Sequence, residues 1–273
     1  MVGPVELVVA LLALVPIGAV VVLAVKARAA QPEAFADAHG FSLTAANRPL
    51  VGSYLDRSWT WRITGALLGV VIPFGTRIPG LEMLGGYLVG ALAAELTHAR
   101  LRRSAQPAAS LAPRSLTDYI APGILRALRA TAVLAVALVP MYHLLPRRAS
   151  VTDHPQLLVA SGLALITATL VEGALRVIVR RPQPAIAPDV VSADDAIRAA
   201  SIHATAGAGL AIVVLLVATE LWAFGFGTDV QLIRWVAPVL SISTTAGAFV
   251  IWSVLGHDRP WRVRRNNAGE VPA

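Results

Sequence analysis

The sequence predicts an all-α protein, a polytopic transmembrane helical bundle of about seven spans. Three observations carry that prediction. Only 14% of the 273 residues are charged and 56% are hydrophobic, whereas a soluble domain carries about 25% charged residues. Seven apolar stretches approach the ~20 residues that a helix needs to cross a ~30 Å hydrocarbon core. Finally, the cations crowd into alternate linkers.

The stretches are residues 5–25, 60–75, 81–98, 124–145, 157–178, 205–226 and 235–256, followed by a basic tail at 257–273. The first is preceded by no cation, only Glu6 inside it, and is followed by Lys26 and Arg28. That order reads as an anchor with its N-terminus outside, against the alternative of a cleaved signal peptide. The second span is short, and Trp59 and Trp61 can hold it at an interface. Pro73, Gly75, Pro79 and Gly80 break the chain into a tight external turn before the third. Arg77, Arg147, Arg148 and Arg234 fall on one side, and the other nineteen of the 23 Lys and Arg residues on the other. Segments rich in Lys and Arg resist translocation, so the second side, including the C-terminus, is expected to be cytoplasmic.

This asymmetry gives the net charge of +7 a topological origin, and nucleic-acid binding is not needed to explain it. The basic face can attract anionic lipid, at about 1 kcal/mol per exposed cation. There is no cysteine, hence no disulfide and no thiolate metal site. The single lysine, Lys26, excludes a retinal Schiff base in the last span. No phosphate-binding loop, zincin helix or nucleophile elbow appears, and no cofactor is indicated.

Residues 85–138 align with 162–215 at a constant offset of 77, pairing Gly85 with Gly162, Glu95 with Glu172, Arg103 with Arg180, Ser115 with Ser192 and Asp118 with Asp195. Gln106-Pro107 likewise matches Gln183-Pro184, and a weaker copy has Gln31-Pro32, Ser53 and Asp56. The unit is a span, a basic end, Gln-Pro, a loop, Ser-x-x-Asp and the next span. Serine before a helix accepts from orphan N–H groups, and an acid three residues later suits the positive helix end. Ser53 and Asp56, Ser115 and Asp118, and Ser192 and Asp195 are thus expected helix caps on the cytoplasmic side. Alternatively they form a shared docking surface for a cytosolic partner. Asp194 and Asp195 precede Arg198 at helical-pair spacing.

Intramembrane polar residues are functional candidates by default. Glu95 and Glu172 lie about one turn inside the cytoplasmic end of their spans. His98, Arg62, Arg126, Arg129 and Arg176 are near enough in sequence or depth to make an ion-pair belt; a proton or ion relay is the alternative. Glu82 and the deeper Glu220 lie toward the outer side, where Arg77, Arg147, Arg148 and Arg234 are available partners. In the last span Pro238 is followed by Ser241, Ser243, Thr244 and Thr245. These either satisfy carbonyls freed by the proline and ease packing, or line a solute path. Gly65-x-x-x-Gly69 and Gly86-x-x-x-Gly90 allow spans two and three to cross closely. His143, Asp153 and His154 share an external loop as a loose metal candidate, and His98, His203 and His257 lie at one border.

Phe41, Asn47-Arg48-Pro49-Leu50-Val51, Trp61-Arg62, Arg181-Pro182-Gln183-Pro184 and Ala193-Asp194-Asp195-Ala196-Ile197-Arg198 together resemble a group of actinobacterial multi-pass membrane proteins with no assigned activity. The resemblance covers most of the chain and implies a bacterial plasma-membrane setting. It transfers no catalytic residue. The sequence leads to a non-enzymatic membrane subunit that acts with a membrane or cytosolic protein, with association to transport as one setting. A small secondary carrier using intramembrane glutamates is the alternative, and an intramembrane enzyme a third.

Overall fold

A computed structural model describes residues 31–71, 81–102, 114–146, 155–182 and 187–255. The described chain is all-helical. Its elements are α1 (Pro32–His39), α2 (Arg48–Val71), α3 (Leu81–Arg102), a short 3-10 turn (Leu116–Asp118), α4 (Pro122–Leu144), α5 (Pro155–Arg180), α6 (Pro188–Gly227) and α7 (Gln231–Leu255). Four of these, α4 to α7, are long and apolar enough to cross a membrane. Leu144, Leu158, Val159, Ile166 and Val239 are among the large apolar side chains that these helices leave exposed, which suits a lipid environment. The first expected span lies outside the described residues. The second and third correspond to α2 and α3, which fall short of the same apolar standard: α2 carries Asp56, Arg57 and Arg62, and glycines occupy the contact face of both.

Helix α6 organises the bundle. Its 40 residues are apolar on nearly every side and mostly buried, the pattern of a helix surrounded by others. Every other long helix touches it. The expected sixth span, 205–226, is only its second half; the capped segment before that span is the same continuous helix. Pairs of contacts set the directions. Ser161 meets Glu220 while Arg198 meets the carbonyl of Ile178, so α5 and α6 are antiparallel. Ser241 meets the carbonyl of Ala218, and Gly225 faces the Pro238 ring, so α6 and α7 are antiparallel too.

Glycine decides how α2 and α3 pack. A Cβ on Gly65 would stand 2.2 Å from the Gly86 carbonyl oxygen, one on Gly69 2.0 Å from that of Glu82, and one on Gly90 2.1 Å from that of Trp61. Only hydrogen fits at these points. The two small-xxx-small motifs therefore face each other within one chain. Gly209 gives the same access to Val171 on α5, whose methyl would lie 2.3 Å from a Cβ there.

A second, smaller core lies at the end where α5 finishes and α6 begins, here the polar end. Phe35 of α1 and Val51, Tyr54 and Leu55 of α2 pack on Ala193, Ala196, Ile197 and Ala200 of α6. Gly40 ends α1 in the left-handed conformation, φ 68°, which glycine adopts without a steric cost. The cap formed by α1, the start of α2 and the start of α6 is thus held to the bundle by α6 itself.

Candidate functional site

The expected helix caps divide. Ser115 is the N-cap of the 3-10 turn, and it forms a reciprocal capping box with Asp118. Ser53 and Ser192 do not cap. Helices α2 and α6 begin four to five residues earlier, at Arg48 and Pro188, so both serines lie one turn inside and donate back to the carbonyls of Leu50 and Pro188. The opener at these helices is proline, Pro49 or Pro188, whose missing N–H falls where none is needed. Asp56 is mid-helix and exposed. Asp195 instead accepts from the Tyr119 hydroxyl at 3.2 Å and lies 3.7 Å from Arg114.

The box that starts α2 is Thr44-x-x-Asn47. The Thr44 hydroxyl oxygen accepts from the Asn47 N–H at 3.2 Å, and Asn47 Oδ1 accepts from the Thr44 N–H at 2.8 Å. The Thr44 hydroxyl also donates to Asp189 at 2.5 Å, and the Asn47 amide donates to the Asp189 carbonyl at 3.3 Å. The sequence does not mark this motif as a cap, because asparagine takes the place of the usual Glu or Gln. It ties the start of α2 to the start of α6 across 142 residues of chain.

The densest polar cluster of the described residues is built on α6. Arg198 and Asp194 are both 0% exposed, and Arg198 Nη2 donates to Asp194 Oδ2 at 2.8 Å. Arg198 Nη1 donates to the carbonyls of Ile178, Val179 and Arg181 at 2.8, 2.9 and 2.9 Å. Those carbonyls end α5, where the helix dipole is negative and backbone N–H partners run short; the Ile178 carbonyl also accepts from the Arg181 N–H at 3.3 Å. The guanidinium is therefore a C-cap delivered from a neighbouring helix. Asp194 is also 3.6 Å from Arg181 Nη2, and Arg181 Nη1 donates to Glu95 of α3 at 3.2 Å. Glu95 accepts in addition from the Ser201 hydroxyl, which lies 3.1 Å from that of Tyr54. Arg62 Nη2 donates to the Tyr54 oxygen at 3.4 Å. One connected network joins α2, α3, the end of α5 and α6, with Arg181 and Arg198 balancing Glu95 and Asp194.

The 3-10 turn docks beside it. His203 Nε2 donates to the Tyr119 carbonyl at 2.9 Å, and burial together with the nearby Asp195 charge pushes the Tyr119 phenol from 10.0 up to about 12.

Glu95 and Glu172, equivalent in the expected repeat, have different surroundings. Glu172 takes a bidentate pair from Arg129 of α4, at 2.5 and 3.0 Å, and a further bond from Arg176 at 3.0 Å. Arg129 and Arg176 are more than half exposed, at 58% and 61%. Glu95 faces inward and meets Arg181. Gln106, Pro107, Gln183 and Pro184 lie outside the described residues, as do Arg103 and the tail.

The last-span hydroxyls are spent on backbone. Ser241 donates across to the Ala218 carbonyl at 2.7 Å, Thr245 to the Ser241 carbonyl at 2.9 Å, and the exposed Ser243 to that of Val239 at 2.9 Å. Thr244 is half-buried beside them. Glu220 differs from all of these. It is 0% exposed on α6, accepts from Ser161 of α5 at 2.6 Å, and its second oxygen has no hydrogen-bond partner. Arg234, the described cation at that end, forms no ion pair with it; Arg77, Arg147 and Arg148 lie outside the described residues.

Among the described residues no group of three or more His, Asp or Glu side chains could hold a metal ion. Asp153, His154 and His257 lie outside them. Comparisons with protein-family models, curated proteins and solved structures found no match.

Proposed function

We propose that the chain is a non-catalytic membrane subunit: a helical scaffold in a cell membrane whose polar-end cap engages a partner protein. The carrying observation is the Arg181–Glu95 pair at 3.2 Å, with Asp194 and Arg198 behind it. A carrier needs polar groups that open to a solute at mid-membrane. Here Glu95 is held between Arg181 and Ser201, Glu172 between Arg129 and Arg176, and the Ser and Thr hydroxyls of α7 by carbonyls. Of these, the contacts of Glu95 with Arg181 and Ser201, with Asp194 and Arg198 behind them, stiffen the joint between bundle and cap. The cap in turn presents Glu33, Arg48, Asp56 and Arg57 outward. In this reading the basic polar end faces the cytoplasm of a bacterial cell and also meets anionic lipid.

The test is isolation of a tagged copy from native membranes under mild detergent, with stoichiometry measured. One protein partner at fixed ratio, lost when exposed cap residues are reversed in charge, supports the reading. A monodisperse chain with lipid alone opposes it.

One observation favours a second reading, an ion-coupled carrier: the unpartnered Glu220 oxygen inside the bundle. Uptake into reconstituted vesicles that is abolished by Glu220→Gln, with Glu95→Gln and Glu172→Gln folded, would favour it over the subunit.

A further inference from the structure

We infer that Glu220 carries a proton in the folded protein, so that the junction of α4, α5 and α6 is a proton-binding site within the membrane-spanning bundle. The reason is a shortage of hydrogens. Ser161 Oγ lies 3.0 Å from the Ala135 carbonyl of α4, 3.0 Å from the Leu157 carbonyl of α5, and 2.6 Å from Glu220 Oε1 of α6. A serine hydroxyl owns one hydrogen and can accept two. If Glu220 is ionised, three acceptors compete for that single hydrogen and the serine lone pairs find no donor.

The second carboxylate oxygen would then be a bare charge in a fully buried place, for Oε2 has no partner. A buried charge needs a partner. A proton on Oε1 removes both difficulties. Glu220 donates to Ser161 at 2.6 Å, an ordinary length for an O–H···O bond. Ser161 passes its own hydrogen to Leu157 or Ala135. Each hydrogen has an acceptor, and Oε2 is left as a neutral carbonyl oxygen.

Among the described residues no charged group pairs with Glu220; Arg77, Arg147 and Arg148 lie outside them. On α6 the preceding residue, Thr219, donates to the Leu215 carbonyl. On α4 the titratable groups are Arg126 and Arg129 toward the polar end, with Arg129 on Glu172, and Tyr142 and His143 toward the other end, with the Tyr142 ring against Phe224. Helix α7 brings the exposed Arg234, the α6–α7 connection Asp229, and α3 Glu82 in its first turn. None of them forms an ion pair or hydrogen bond with Glu220. Glu220 is seven residues from the end of α6 at Gly227, about 10 Å along the axis. A proton released there forces Ser161 to abandon both carbonyls, so proton occupancy and the α4–α5–α6 contact are linked.

The inference is independent of both readings above: the proton can be present whether or not the chain carries a solute. Its test is infrared spectroscopy of the full chain in lipid at neutral pH. The C=O stretch of a protonated carboxylic acid is expected in the wild type, shifted in Ser161→Ala, retained in Glu95→Gln and Glu172→Gln, and absent in Glu220→Gln. Glu220→Gln keeps a neutral group of the same shape, and its amide N–H can donate to Ser161, so it is expected to fold with an unchanged melting midpoint. A wild-type spectrum without that band overturns the inference, whatever the variants do. A band that persists in Glu220→Gln also overturns it.

Discussion

Arg198 and Asp194 stand one helical turn apart on α6, 2.8 Å from guanidinium to carboxylate, with neither side chain exposed. The pair would be costly alone, since both charges leave water. It persists because the same guanidinium satisfies three carbonyls at the end of α5 and because Arg181 shares Asp194. Removing one member strands the other. Asp194→Ala is predicted to destabilise the folded chain by about 3–5 kcal/mol, measured by denaturant titration in mixed micelles. Arg198→Lys is predicted to recover part of Arg198→Ala, since an ammonium keeps the charge but loses the planar fork. A neutral Asp194→Ala would show that the network is not a stabilising joint.

The two adjacent glycines of α3 are predicted to behave oppositely. A Cβ on Gly86 would lie 2.0 Å from the Gly65 carbonyl oxygen, while one on Gly85 meets nothing within 4 Å. Gly86→Ala must push two backbones apart, with a loss of about 1–3 kcal/mol or more. Gly85→Ala gains helix propensity, up to about 1 kcal/mol. Melting midpoints of the two variants check the contrast, and equal effects would contradict the packing of α2 on α3.

Glu95 and Glu172 are predicted to differ although they occupy the same place in the expected repeat. Glu95→Gln leaves the buried Arg181 short of a counter-charge, whereas the partners of Glu172 are more than half exposed. Loss of stability is therefore expected to be larger for Glu95→Gln, measured under identical lipid and salt.

Tyr119 gives a test at alkaline pH. Its folded value of about 12 stands above the ordinary 10.0, because burial and the Asp195 charge disfavour the phenolate. The neutral phenol therefore contributes stability that is complete below pH 10 and is lost as pH rises toward 12. Phenolate absorbance should show a late-titrating component that Tyr119→Phe removes. A Tyr119 midpoint near 10 would contradict the docking of the 3-10 turn.

The helical class was legible because apolar runs and low charge are properties of composition. The crossing of α2 and α3 was legible too, for the four glycines lie at small-xxx-small spacing. The centrality of α6 was within reach and only half read. Ala196-Ile197-Arg198-Ala199-Ala200-Ser201-Ile202 has small or apolar residues on all sides of Arg198, so its charge has no route to water. Spacing to Asp194 marks a helical pair without its depth; the alanines around it are the sign of a buried one. Helix caps were misplaced at Ser53 and Ser192 because Ser-x-x-Asp fits both a cap and a helix interior, and only the upstream proline separates them. The partners of Glu95 and Glu220 were out of reach. Ser201 and Ser161 are 106 and 59 residues away, brought in by packing that no local pattern encodes.

The central claim is that a rigid bundle presents its cap to a partner protein. Site-specific photo-crosslinking in native membranes tests it most directly. Probes at the exposed Asp56 and Arg57 of the cap are compared with probes at the exposed Leu144 and Leu232 of the opposite end. The prediction is one discrete protein adduct from the cap positions, at constant stoichiometry, and none from Leu144 or Leu232. Lipid adducts alone at Asp56 and Arg57 would contradict it.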